Sequence, residues 1–308
     1  MCATSLEPHV AVSEPVDEQE RSPLSVALRL LVGSGVGKTG IALFVALIAI
    51  SVYVLIAYPA NFGTAKWSDP NAWANNPRAA PPAWTAYLGN EAVAQQTWIR
   101  SEPSTVSTIP AGEIRTFDFP FTVDSGAFPS ALTVVLSGLS YSGRPPVVAM
   151  SLTRPDGAKV ALANVVAPGP NPGESAPYRR FVGEGERILL TSQQTAAQAI
   201  ARTYQEQYPA LAVSADMGDQ TDRAVFGKPV DSEQPAIELL PGDYLLQVQL
   251  IVADTTDSLE EVEAILGGTT FGLMGTDTLG RDLWQGLLYG FPIALLIATL
   301  SALASTII

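Results

Sequence analysis

Few side chains in this sequence are equipped for covalent or metal chemistry. The single histidine (His9) and the single cysteine (Cys2) both fall within the first ten residues. A Cys/His zinc site therefore lacks ligands, and no intrachain disulfide can form. A serine or cysteine nucleophile would have to take its base from His9, inside an acidic, Ser- and Pro-containing stretch that reads as a solvated tail. Carboxylates are plentiful: Asp216, Asp219 and Asp222 recur every three residues, and Asp254, Asp257, Glu260, Glu261 and Glu263 form an acidic run. Neither set has the alternate-residue ligand spacing and central Gly of an EF-hand loop, so both read as solvated acidic faces. Residues 32–39, VGSGVGKT, fall one position short of a phosphate loop. Val32 stands where the first Gly is required, and an apolar span follows in place of a soluble helix. This stretch reads as a Gly/Ser hinge with Lys38 as a membrane anchor.

The densest set of polar groups at fixed spacing is Gly275-Thr276-Asp277-x-x-Gly280-Arg281-Asp282. Thr276 or Asp277 is a good helix N-cap, and Gly275 and Gly280 allow a tight approach of backbone. Leu279, Leu283, Leu287, Trp284 and Leu288 then share one face, with Arg281, Asp282 and Gln285 on the other. The pattern predicts an interfacial amphipathic helix over 271–286. On such a helix Asp277 and Arg281 are four apart, in the favourable order for an ion pair.

The elements that must position this motif are membrane segments. Hydrophobic residues make up 47% of the 308 and charged residues 15%, against about 25% charged in an ordinary soluble domain. Residues 40–58 are uncharged and bounded by Pro59, and about 20 residues span a bilayer core. The rival reading, a signal peptide, is disfavoured by the 39 residues that precede the run and the lack of a small-residue cleavage pattern. Residues 287–308 are also uncharged. There Ala294, Ala298 and Ala302 repeat every four positions, a spacing that lets another helix approach closely in lipid. Arg29 and Lys38 before the first span place the N-terminus in the cytoplasm and the intervening region outside it. An apolar helix ending at Ile308 reads as a truncated chain. The 17 basic and 30 acidic residues leave a net charge of −13, which excludes nucleic-acid binding by counterion release.

The layout expected is a cytoplasmic tail over 1–39 with a short amphipathic helix at 24–32, a first span at 40–58, a β-rich extracytoplasmic insert at 59–270, the motif at 271–286 and a second span at 287–308. Within the insert, residues 61–84 carry Trp67, Trp73 and Trp84 among four prolines. They read as extended chain packed at the membrane surface or under the next domain. Residues 90–98 could form a helix. Period-two alternation marks strands at 116–123, 132–136, 147–152, 158–163 and 244–252, with a turn at Arg154-Pro155-Asp156-Gly157. Residues 192–208 read as helix. The fold class expected is a membrane protein with two transmembrane α-helices flanking a sandwich-like β-rich domain.

The motif at 275–282, followed by an apolar helix containing Tyr289-Gly290, resembles permease subunits of the dipeptide/oligopeptide/nickel class of ABC importers. The stretch from Trp67-x-x-Pro70-x-x-Trp73 to Ala80-Pro81-Pro82-x-Trp84 resembles members with an enlarged outer loop. The resemblance covers roughly residues 24–84 and 269–308, and the β-rich insert departs from the compact family pattern. It implies a translocation subunit that works with a second permease subunit, two ATP-hydrolysing subunits, an extracytoplasmic solute-binding protein and the lipid bilayer. It implies no enzymatic activity of its own, no cofactor and no metal. In the family the motif closes the loop between the first and second spans, which makes Gly275, Thr276, Asp277, Gly280, Arg281 and Asp282 a structural or gating set. The later spans and the ATPase-docking loop of the family are not in this sequence. The rival readings are a membrane-anchored extracytoplasmic binding or sensor module and, more weakly, a membrane-bound hydrolase using insert carboxylates.

Overall fold

The computed structural model describes residues 29–88, 93–101, 104–124, 126–209, 220–230 and 236–307. The helices are α1 (Gly35–Ala57), α2 (Gln194–Gln207), α3 (Thr221–Val225) and α4 (Leu283–Ile307). The strands are β1 (Thr97–Ile99), β2 (Thr105–Ile109), β3 (Gly112–Val123), β4 (Ala131–Tyr141), β5 (Val147–Thr153), β6 (Lys159–Val166), β7 (Tyr178–Arg180), β8 (Glu186–Leu189), β9 (Gly227–Val230), β10 (Ala236–Leu239), β11 (Gly242–Val252) and β12 (Ser258–Gly267). The chain divides into two compact units, one drawn from its two ends and the other running from Ala60 to Leu287.

In the first unit, α1 has 23 residues and α4 has 25, roughly 35 and 38 Å at 1.5 Å per residue. Both are long and apolar enough to cross a membrane. Leu43, Phe44, Val45 and Val52 of α1 are exposed, as are Ile293, Leu296, Ile297, Leu300 and Leu303 of α4. A helix apolar on every face has no polar side to offer water. Ala294, Ala298 and Ala302 lie on α4 and are exposed. The expected hinge at 32–39 is a single bend at Ser34, whose hydroxyl accepts from the Gly37 N–H at 2.9 Å and caps α1. Lys38 is helical, so the near-phosphate-loop sequence makes no loop. Of the expected helix at 24–32, residues 29–32 are helical and the rest lie outside the described residues.

The second unit is a β-sandwich. One antiparallel sheet runs β1-β12-β4-β7, with β8 also on β4, and the other runs β2-β3-β11-β5-β6. Strand β11 shows why the alternating pattern works. Tyr244, Leu246, Val248, Leu250 and Val252 are buried, while the residues between them are half-buried on the other face. They meet Leu132, Val134, Leu136, Leu139 and Tyr141 of the facing sheet in one core. Each large buried side chain contributes about 1.5–3 kcal/mol. Helix α2 adds Ala196, Ile200, Ala201 and Tyr204, spaced to share one helical face.

The strands and the helix expected from the pattern at 116–123 through 244–252 and at 192–208 are present. One expectation differs: residues 97–99 are strand β1, and no helix occupies 93–98. Of the acidic run at 254–263, Asp254, Glu260 and Glu261 are exposed as expected, Glu263 is half-buried and Asp257 is buried, and the second half of the run lies in β12.

Candidate functional site

The motif loop and the Trp/Pro segment form one structure inside the second unit. Residues 271–282 are not helical, which corrects the expected amphipathic helix over 271–286: the helix starts at Leu283. Gly275 and Gly280 adopt φ of 76° and 80°, in the left-handed region that a helix excludes. Asp277 also competes with the helix. Its Oδ1 accepts from the N–H groups of Leu279 and Arg281, both at 2.9 Å. The cap moves to Asp282, whose Oδ1 accepts from the Trp284 N–H at 2.9 Å and whose Oδ2 accepts from Gln285 Nε2 at 3.0 Å. Thr276 and Asp282 pair across the loop as a short antiparallel bridge.

The ion pair forms, but in this loop and not along a helix. Arg281 Nε donates to Asp277 Oδ2 at 2.6 Å. The guanidinium also lies over the Trp67 ring, 4.6 Å from its centroid. Burial pushes the Asp277 carboxyl up, but the Arg281 and Leu279 N–H groups and the Arg281 guanidinium outweigh it and hold the group below the usual carboxylate range. Asp277 therefore stays ionised at neutral pH and is no proton donor there.

The segment at 62–84 is not extended. It makes short helical turns at Gly63–Trp67, Asn71–Trp73 and Ala83–Tyr87 and wraps the loop with main-chain hydrogen bonds. The Ala79 N–H donates to Asp277 O at 2.8 Å, the Thr276 N–H to Ala80 O at 2.9 Å, and the Phe271 N–H to Pro81 O at 3.0 Å. The Thr276 hydroxyl accepts from the Ala80 N–H at 3.0 Å and donates to Pro77 O at 2.6 Å. Asn76 Nδ2 donates to Gly280 O at 3.0 Å. Gly275 faces the Ala80 carbonyl so closely that a Cβ would overlap it. Trp73 is buried, packs edge-on against Trp67 at 5.9 Å, and donates its indole N–H to Lys66 O. Lys66 reaches Gln285 Oε1 at 3.2 Å, and Arg187 ties the segment to β8 by donating to Asn75 Oδ1 at 2.6 Å.

All six motif residues are thus brought into one clasp. Its chemistry is that of a rigid joint, since both carboxylates are occupied by backbone N–H groups and local side chains. Ala294, Ala298 and Ala302, expected to let another helix approach, are in the other unit and are not part of it. Sequence reasoning missed that the Trp/Pro segment is the partner of the motif; the signal was the two together, tryptophans and prolines beside a glycine-rich loop.

Of the carboxylates singled out earlier, Asp254 and Asp257 serve the sandwich. Asp257 is buried, accepts from the Ser142 N–H at 2.9 Å through Oδ1, and its carbonyl accepts from Arg115. Asp254 Oδ1 accepts from the N–H and hydroxyl of Thr256. Asp216 and Asp219 lie outside the described residues, as do Cys2 and His9. Among the described residues no group of three or more His, Cys, Asp or Glu is placed to hold a metal ion. Compared with known proteins, the chain matches no protein-family model and no curated protein.

Proposed function

We propose that this chain is part of a transmembrane permease subunit of an ATP-binding-cassette importer for peptides or similar small solutes. Its α1 and α4 cross the cell membrane, its N-terminus is cytoplasmic, and its sandwich lies outside. It works with a second permease subunit, two ATP-hydrolysing subunits and an extracytoplasmic solute-binding protein. The observation that carries this reading is the clasp. Residues 76–84, in the segment that follows α1, are hydrogen-bonded to the motif loop that precedes α4, so the chain between two apolar helices closes into a fixed joint. A translocation subunit that must hold its first two spans in register would need such a joint. Deleting the gene in its native cell and measuring uptake of a radiolabelled dipeptide and of nickel tests the reading. Loss of ATP-dependent uptake of either solute is expected, and unchanged uptake of both contradicts it.

The sandwich favours a second reading, a membrane-anchored binding or sensor module, because it carries its own continuous core. In that case deletion would leave uptake unchanged and abolish binding or signalling at the cell surface.

A further inference from the structure

We propose that the outer face of the clasp, formed by Trp84, Tyr87, Leu88, Leu273 and Met274, is embedded in the headgroup layer of the bilayer as a second, non-helical anchor. The proposal rests on the reading of α1 and α4 as membrane spans. The aromatic residues of the clasp sort into two sets. Trp67 and Trp73 face inward on each other and on the motif, whereas Tyr87 is 86% exposed, Leu88 78%, Leu273 58%, Trp84 48% and Met274 40%. The exposed set comes from two segments that are hydrogen-bonded to each other. Trp84 Nε1 donates to Leu273 O at 2.9 Å, and the Ala83 N–H donates to Gly272 O at 2.9 Å. A contiguous exposed apolar patch on a folded unit marks a surface that meets something other than water.

Connectivity names the occupant. The patch lies on the two segments that continue the apolar helices. Ala57 ends α1 only a few residues before the clasp begins, and the N–H of Leu283, the first residue of α4, donates to Gly275 O at 3.2 Å, next to Met274. Through Leu273 and Met274 the patch adjoins the first residue of α4, the helix read as entering the lipid. The residue types agree. Residues 77–88 and 271–276 contain no acid, in a chain with 30 acidic residues, and include the exposed Arg78. Trp and Tyr are the side chains that settle at headgroup depth, with apolar rings inward and polar atoms toward water, and a nearby cation can meet lipid phosphates.

The test uses the full chain with Cys2→Ser, reconstituted in vesicles of phosphatidylcholine and phosphatidylglycerol. Nitroxide labels are attached singly through Tyr87→Cys, Leu273→Cys, Val166→Cys on exposed β6, and Leu296→Cys on α4. Collision with oxygen, which partitions into lipid, is compared with collision with a water-soluble nickel chelate. The expected result is a shift toward oxygen at 87 and 273, intermediate between the aqueous reading at 166 and the deep-lipid reading at 296. Aqueous readings at 87 and 273 with a lipid reading at 296 overturn the proposal and leave the spans standing. Immobile labels at 87 and 273 shielded from both agents mean that a protein covers the patch, and also overturn it. An aqueous reading at 296 removes the spans themselves, and the proposal with them.

Discussion

Asp277 uses both carboxylate oxygens within its own loop, one on two backbone N–H groups and one on Arg281. Its folded pKa is depressed, so its contribution to stability is present above its unfolded value and is lost as pH falls through the folded value. Arg281→Ala removes the partner and the stacking on Trp67. The pair is partly exposed, so a loss of only about 1 kcal/mol is expected, read as a small drop in the melting temperature of the detergent-solubilised chain. Uptake or assembly should suffer more than stability does, because the joint is displaced, whereas Arg223→Ala, at an exposed site over Phe128, should leave both at wild-type levels. Equal uptake by the two variants at matched expression would remove the role assigned to the motif. Gly275→Ala is the harsher change, since it meets both a φ of 76° and the Ala80 carbonyl. It should destabilise by about 1–3 kcal/mol, while Gly143→Ala, with open space around it, should melt like the parent.

Arg154 organises the elements at one end of the sandwich. It follows β5, its side chain is fully buried, and it donates to the carbonyls of Ala224, Val225 and Gly227 while pairing with Asp156 at 3.0 Å. Tyr204, whose phenol is pushed up to about 12 by burial, donates to two of the same carbonyls. Arg154→Ala should cost about 3–5 kcal/mol, because it strands Asp156 and leaves buried carbonyls unpaired; a chemical-denaturation midpoint close to the parent's would refute this. In the loop between β6 and β7, the Arg180 side chain and the Asn171 N–H hold the Glu174 carboxyl down to about 2, from an ordinary value of 4.5. Its contribution is therefore full above pH 4.5 and is lost between there and about 2. Glu174→Gln should flatten that part of the plot of melting temperature against pH, and an unchanged acid limb would contradict the assignment.

Strands such as β11 were legible because one face is buried and the other is not, so the sequence alternates. Strand β12 was hidden by its acids. Strand β1 pairs only with Ala264, Ile265 and Leu266, so among the described residues the acid-rich first half of β12 is paired on one edge alone, which tolerates charge. The clasp was hidden for a different reason. Four of its bonds join main-chain groups of segments nearly 200 residues apart, and backbone groups leave no side-chain signature. The helix expected over 271–286 is absent from the motif because Gly275 and Gly280 adopt left-handed backbone, which the glycine spacing alone does not distinguish from close packing.

In the order of the whole chain, two helices with apolar faces exposed along their length come before and after a sandwich with its own core. With Arg29 and Lys38 at the start of α1, protease added to intact cells, or to spheroplasts where an outer membrane is present, should cut the sandwich and spare a tag at residue 1. The reverse pattern would invert the proposed topology. The central claim, that the chain belongs to an ATP-driven importer, is tested most directly without knowing the solute. The tagged protein is purified from its native membranes in mild detergent, and its companions and ATP hydrolysis are measured. The account predicts co-purification of a second permease and an ATP-hydrolysing subunit, with vanadate-sensitive ATP hydrolysis. Recovery of the chain free of any ATP-hydrolysing subunit and of ATP hydrolysis would contradict it.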